Sequence, residues 1–216
     1  MHPPCRRREA RRKEEVGRAT AYDRKDAFHQ RAKREGYRSR AAYKLLEIER
    51  EHALLHRGLR VADLGCWPGG WLQVAADAVG AEGRVVGVDL AAIDPPLDLA
   101  NVFAIQGDFA EAPVLEELLG RLGGNADVLL SDAAPKLTGV RASDRAREEA
   151  LLVAIEAAIP KLLAAGGALL VKLLDCPEAA GFVKRTRSRF DSARELRPEA
   201  SRKGSSERYL LAKGRR

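Results

Sequence analysis

Cysteine is scarce and odd in number, with only Cys5, Cys66 and Cys176 among 216 residues. Their wide separation excludes a closed disulfide framework and a four-cysteine zinc site, and it fits a reducing cytosol, so a cytoplasmic location is expected. No His/Cys cluster is available to hold a metal, and none is expected to be needed. Long apolar runs are missing too. The longest, Leu162 to Val171, is closed off by Lys161 and Lys172; a membrane-spanning helix needs about 20 such residues. The opening MHPPCRRREARRK is basic without an apolar segment, unlike a secretory signal, and Glu9, Glu14 and Glu15 argue against an organelle transit peptide. Aromatic residues make up 5% of the chain, too few for base stacking to dominate any affinity for nucleic acid.

What is present is an ordinary globular composition, 45% hydrophobic, enough to bury a full core. Length and pattern suggest one domain, residues 31–216, behind a charge-rich arm, residues 1–30, most of it mobile. The formal net charge is +7, but it is unevenly spread. Residues 1–60 carry a net of +9, residues 61–160 a net of −10, and residues 161–216 a net of +8. A basic head and tail flank an acidic middle, which points to a polyanionic partner if the fold brings the two ends together.

From residue 60 onward, short apolar runs alternate with amphipathic stretches. Strands are expected at 60–64, 84–90, 102–106, 127–131 and 168–173, and helices at 70–79, 112–121, 145–164 (bent at Pro160) and 177–189. An earlier helix, with Ala42, Leu45, Leu46 and Ile48 at helical spacing, is expected to be capped by Ser39. The last two strands, 192–197 and 207–213, are joined only by the loop PEASRKGSS and should pair as an antiparallel hairpin. Alternating strands and helices imply parallel βαβ units, and continuous apolar strands imply a sheet covered on both faces. The expected fold is therefore α/β, doubly wound and Rossmann-like, with a C-terminal antiparallel hairpin.

In such sheets ligands bind at the carboxyl ends of the strands. The first strand runs into Asp63-Leu64-Gly65-Cys66-Trp67-Pro68-Gly69-Gly70-Trp71. This is neither the G-x-G-x-x-G of dinucleotide folds nor a phosphate loop, since no Gly-Lys-Ser/Thr follows. Asp89 ends the second strand, about 20 residues beyond the glycine loop, where a carboxylate can accept from both ribose hydroxyls. The third and fourth strands lead to Asp108 and Asp132. Carboxylates accept from amines and hydroxyls but repel phosphate, so the pattern favours S-adenosylmethionine over a nucleotide phosphate. Lys172 stands inside the apolar run ALLVKLL. A strand-end lysine can snorkel; one held in a buried site is instead suited to proton transfer.

These blocks resemble the RrmJ/FtsJ family of S-adenosylmethionine-dependent RNA 2′-O-methyltransferases. The similarity runs from about Tyr37 to Gly214 and rests on YRSRAAYKLLEI, VADLGCWPGGWLQVA, GVDL, SDAAPKLTG with VKLL, and RPEASRKGSSERYLLAKG. The resemblance implies a seven-stranded methyltransferase sheet. It implies a catalytic Lys-Asp-Lys-Glu tetrad at Lys44, Asp132, Lys172 and Glu207, and cofactor contacts at Gly69, Trp71, Asp89, Asp108 and Asp132. Two departures bear on the cofactor pocket. Cys66-Trp67 replaces two residues that are often small, leaving Trp67 either over the methionine end of the cofactor or packed outward. Lys136 stands where an uncharged residue is common.

The implied reaction is methyl transfer to a uridine 2′-oxygen in large-subunit rRNA, in the A-loop. Rival readings are the same reaction on another RNA such as tRNA, or a non-catalytic RNA-binding ribosome assembly factor. A nicotinamide dehydrogenase is disfavoured by the glycine pattern. The expected partner is the large-subunit rRNA or the assembled large subunit, with no membrane or DNA partner, met by a monomer. Lys33, Arg34, Arg38 and Arg40 before Lys44, and Arg202, Lys203 and Arg208 around Glu207, would neutralise RNA phosphates.

Overall fold

The computed structural model describes residues 28–135, 138–201 and 207–216. Apart from residues 28–30, the expected arm lies outside them, as do Lys136, Arg202 and Lys203. Residues 28–34 form a helix, α1. The order thereafter is α2 (Ala42–His52), β1 (Arg60–Leu64), α3 (Gly70–Val79), β2 (Arg84–Asp89), β3 (Val102–Gln106), α4 (Ala112–Leu122) and β4 (Ala126–Ser131). Next come α5 (Arg141–Leu162), β5 (Leu163–Leu173), α6 (Pro177–Arg187), β6 (Phe190–Leu196) and β7 (Arg208–Arg215).

The strands form one seven-stranded sheet in the order β3-β2-β1-β4-β5-β7-β6. Strands β1 to β6 run in one direction, while β7 is antiparallel to its neighbours β5 and β6. The expected hairpin is thus present, with β7 inserted between β5 and β6. Side-chain alternation along the strands feeds two cores. Ala62, Leu64, Leu169, Val171 and Leu173 pack beneath α4, α5 and α6. Val61, Leu130, Leu170, Tyr209 and Leu211 pack beneath α2 and α3. Helices therefore cover both faces, as the continuous apolar strands require. Among the described residues no helix is long and apolar enough to cross a membrane.

Several element ends differ from the sequence pattern for local reasons. Helix α2 is entered through Ala41, with no side-chain cap, so Ser39 is not the capping residue. Helix α5 begins four residues early because the Asp144 carboxylate gathers the turn before it, accepting the N–H groups of Thr138 at 2.7 Å and Gly139 at 3.0 Å. Pro160 lies inside its last turns without ending the helix. Strand β5 starts at Leu163 rather than Ala168. A register shift between Ala126 and Val128 lets the segment AAGG continue the strand.

Candidate active site

The register of the sheet assembles the site. Leu64 pairs with Val88 and with Ser131, and Ser131 pairs with Val171. The residues that follow (Gly65, Asp89, Asp132 and Lys172) therefore emerge along one edge. Strand β7 runs the other way, so its beginning, not its end, reaches that edge. Leu173 pairs with Arg208 and Lys172 with Tyr209. Glu207 thus arrives beside Asp132, and α2, lying over the same face, brings Lys44.

The four tetrad residues are in contact. Lys172 Nζ donates to the Asp132 backbone carbonyl and lies 3.1 Å from Asp132 Oδ1. Lys44 Nζ forms an ion pair with Glu207 Oε1 and lies 4.0 Å from Asp132 Oδ1. Both lysine side chains are largely enclosed, 9% and 11% exposed. Burial pushes the Glu207 carboxyl up, but the hydrogen bond and charge of Lys44, with the Tyr209 hydroxyl, outweigh it and hold the group below its ordinary range.

Tyr209 joins the two carboxylates. Its hydroxyl lies 2.7 Å from Asp132 Oδ1 and 2.9 Å from Glu207 Oε1. Burial, then the charges of Asp132 and Glu207, drives its pKa far above the usual phenol value, so it remains a neutral donor. Its ring packs 5.9 Å from that of Trp71. Trp71 is almost wholly buried, and its indole N–H donates to the Ala41 carbonyl at 2.9 Å. Trp71 thereby ties α3 to the start of α2, and its side chain supports the tetrad from behind.

Beside the tetrad lies the glycine loop. Gly65 (φ +79°) and Gly69 (φ +107°) hold backbone conformations that L side chains rarely adopt. A Cβ on Gly65 would stand 2.5 Å from that of Ala133, so the loop and the Asp132 segment touch backbone to backbone. Asp89 Oδ2 accepts the Trp67 N–H at 3.0 Å, and Oδ1 accepts the Ala91 N–H at 2.9 Å. Asp108 is exposed and turns its own loop, accepting the Ala110 N–H at 2.8 Å. Cys66 is buried against Gly87, where a Cβ would come within 2.7 Å of its sulfur. Trp67, by contrast, is 58% exposed and projects outward.

Comparison with known proteins gives this constellation its relatives. The family model described as FtsJ-like methyltransferase matches residues 37–215. The chain belongs to the FtsJ-like methyltransferase family. It is 44% identical over 193 residues to a ribosomal RNA large subunit methyltransferase E from Methanothrix thermoacetophila, covering 89% of this chain and 74% of that one. A protein of the same name from Coxiella burnetii is likewise 44% identical over 193 residues, covering 87% of this chain and 90% of that one. Among solved structures, a ribosomal RNA methyltransferase from Plasmodium falciparum superposes with a TM-score of 0.72 at 27% identity, over 83% of this chain and 98% of that one. Fibrillarin from Aeropyrum pernix, solved with bound S-adenosyl-L-methionine, shares the fold at a TM-score of 0.57 and 20% identity, over 82% of this chain and 75% of that one.

The residues of this FtsJ-like methyltransferase fit the expected cofactor. The glycine loop follows β1, and Asp63, Asp89 and Asp132 stand at the ends of β1, β2 and β4 beside it. Asp63 is 1% exposed, and neither carboxyl oxygen has a partner among the described residues. Burial, reinforced by the charges of Asp132 and Asp89, pushes its pKa far up. A buried acid without a partner, at the end of β1, suits a ligand that carries positive charge. Among the described residues no cluster of three potential metal ligands exists.

Two residues of the candidate site escaped the sequence reading. Tyr209 follows Glu207 by two positions, so period-two alternation puts both on one face. Asp63 is a carboxylate in an apolar strand, the same signal that singled out Lys172. The basic residues divide. Lys33 and Arg34 are exposed on α1. Arg38 donates to the Pro96 carbonyl at 2.9 Å. Arg208 does not offer a free charge: it is held by Glu195 at 2.7 Å and Asp175 at 2.9 Å.

Proposed function

We propose that this methyltransferase moves the methyl group of S-adenosylmethionine to the ribose 2′-oxygen of a uridine in the large-subunit rRNA, in the A-loop. The observation that carries this reading is the coupling of Lys172 to Asp132, next to the Lys44–Glu207 pair and beside the glycine loop. The names of the relatives support rRNA of the large subunit as substrate. The exposed cations of α1 supply phosphate contacts, and the 2′-hydroxyl itself separates RNA from DNA.

When bound, the cofactor supplies an electrophilic sulfonium methyl. The protein's task is to place the ribose oxygen in line with it and to accept the hydroxyl proton; positioning alone can contribute about 7–11 kcal/mol in favourable cases. Lys172 has two neighbours for its nitrogen, the carbonyl and carboxylate oxygens of Asp132. In the amine form these take up both N–H donors and leave the lone pair as the remaining tetrahedral direction, ready for the hydroxyl proton. Asp132 then faces the ammonium so formed. Lys44 and Glu207, braced by Tyr209, hold the ribose from the α2 side. Asp89 orients the cofactor ribose while anchoring the glycine loop.

The test is nucleotide-resolution mapping of 2′-O-methylation in rRNA from cells with and without the protein, joined to transfer of labelled methyl to RNA in vitro. One ribose methyl missing from the large-subunit rRNA is expected. A missing base methyl, or no change in rRNA, would overturn the reading.

A further inference from the structure

Glu47 lies outside the tetrad and one helical turn beyond Lys44, on the same face of α2. Its carboxylate takes two successive backbone N–H groups of a distant segment. Oε1 accepts from Glu199 at 2.6 Å and Oε2 accepts from Ala200 at 3.0 Å. That segment is a tight turn, closed by the Ser201 N–H donating to the Pro198 carbonyl at 3.0 Å. Glu49, two residues along, makes a similar two-fold contact, but with Leu54 and Leu55 of its own helix end. Glu47 instead reaches across about 150 residues of sequence.

The connection between β6 and β7 spans residues 197–207 and is therefore tied to α2 at both ends. Glu47 holds Glu199 and Ala200, while Lys44 holds Glu207. A carboxylate gripping consecutive N–H groups forms short, charge-assisted bonds of definite direction. Glu207 is also placed by the start of β7, by Lys44 and by the Tyr209 hydroxyl, and the Glu47 grip adds a restraint on the turn that precedes it in the chain.

We propose that Glu47 is a positioning residue for methyl transfer: it clamps the β6–β7 connection to α2 so that Glu207 meets Lys44 in the geometry the ribose needs. The inference rests on the RNA 2′-O-methylation reading. Glu47 touches neither cofactor nor ribose and acts through the connection.

The experiment compares wild type, Glu47→Ala and Glu47→Gln in the full chain, normalised to sites that bind S-adenosylmethionine. Glu47→Ala should lower kcat for rRNA methylation about tenfold or more, the effect of losing one or two charged hydrogen bonds. Its cofactor Kd should stay within about twofold, because Glu47 bonds Glu199 and Ala200 rather than the glycine loop or Asp89. Glu47→Gln keeps one acceptor oxygen and should fall between the two. Amide hydrogen exchange reads the clamp without any activity: the segment around Glu199 and Ala200 should exchange faster in Glu47→Ala. Faster exchange with unchanged kcat, or unchanged exchange in Glu47→Ala, would overturn the inference. A wild-type protein that transfers no methyl to rRNA would instead refute the reading beneath it, and that is known before any variant is assayed.

Discussion

Asp63 offers the sharpest quantitative test, because its side chain is buried without a partner among the described residues. Its pKa in the fold is raised, first by burial and then by Asp132 and Asp89. The folded protein therefore keeps a proton that the unfolded chain releases near the ordinary carboxyl pKa of about 4. Stability from this group is fully present below that pH and is lost as pH rises toward the folded pKa, at about 1.4 kcal/mol per unit. Asp63→Asn replaces the neutral acid with a neutral group of similar shape and removes the titration. Near pH 4 the cofactor-free proteins should be about equally stable. Above it the variant should gain on the wild type by about 3–5 °C in Tm per pH unit for a chain of this length. Taking the difference cancels the titrations that the two proteins share. A cationic ligand arriving beside Asp63 would supply the missing counter-charge and draw the proton off. Calorimetry of S-adenosylmethionine binding in two buffers of different ionisation enthalpy should then show proton release in the wild type and little in Asp63→Asn. Melting curves that stay parallel between about pH 5 and 8 would refute a neutral Asp63.

Lys172→Ala should keep cofactor affinity within about twofold and lose about 10²–10⁴ in methyl transfer; Lys172→Arg should not restore it, since guanidinium does not give up its proton, and near-normal turnover in either variant would sink the assignment. Gly65→Ala should destabilise the protein and displace Asp132, because the new methyl meets Ala133 in a left-handed backbone; urea unfolding should show a loss of about 2 kcal/mol or more, and an unchanged midpoint would contradict the contact. Replacing both Lys33 and Arg34 with Ala should weaken RNA binding about equally for any sequence and lower the slope of log K against log salt by about 1–2, while an unchanged slope would remove α1 from the RNA face.

Much of this was legible in the sequence, and the parts that were not share a cause. Strands β1 and β3 and helix α3 fall where their apolar patterns end, because Gly69 and Gly80 bracket α3 and the strands are short, mainly apolar runs. Lys172 declared itself as a charge inside such a run. The start of α5 did not, since it depends on the Asp144 carboxylate folding back onto Thr138, a contact with no periodicity. The start of β5 was hidden because a register shift against β4, not a hydrophobic pattern, carries the strand through AAGG. Ser39 has the right chemistry for a cap, yet the chain turns into α2 two residues later. Arg208 looked like a phosphate contact from its neighbours in sequence; only the fold brings Asp175 and Glu195 to it. The Glu47 clamp joins residues about 150 positions apart, beyond any local signal.

The reversed direction of β7 has a consequence for how the protein is made. During synthesis β5 and β6 both emerge before β7, the strand with which each of them pairs on this side of the sheet. Their edges stay open until β7 leaves the ribosome and threads into the interior of the sheet. The strand that closes the sheet is also the one that delivers Glu207 and Tyr209. Until that moment Lys44 lacks its partner, so a nascent chain that already holds the glycine loop and both lysines remains chemically incomplete. Closure of the sheet and assembly of the four-residue cluster thus arrive in a single event.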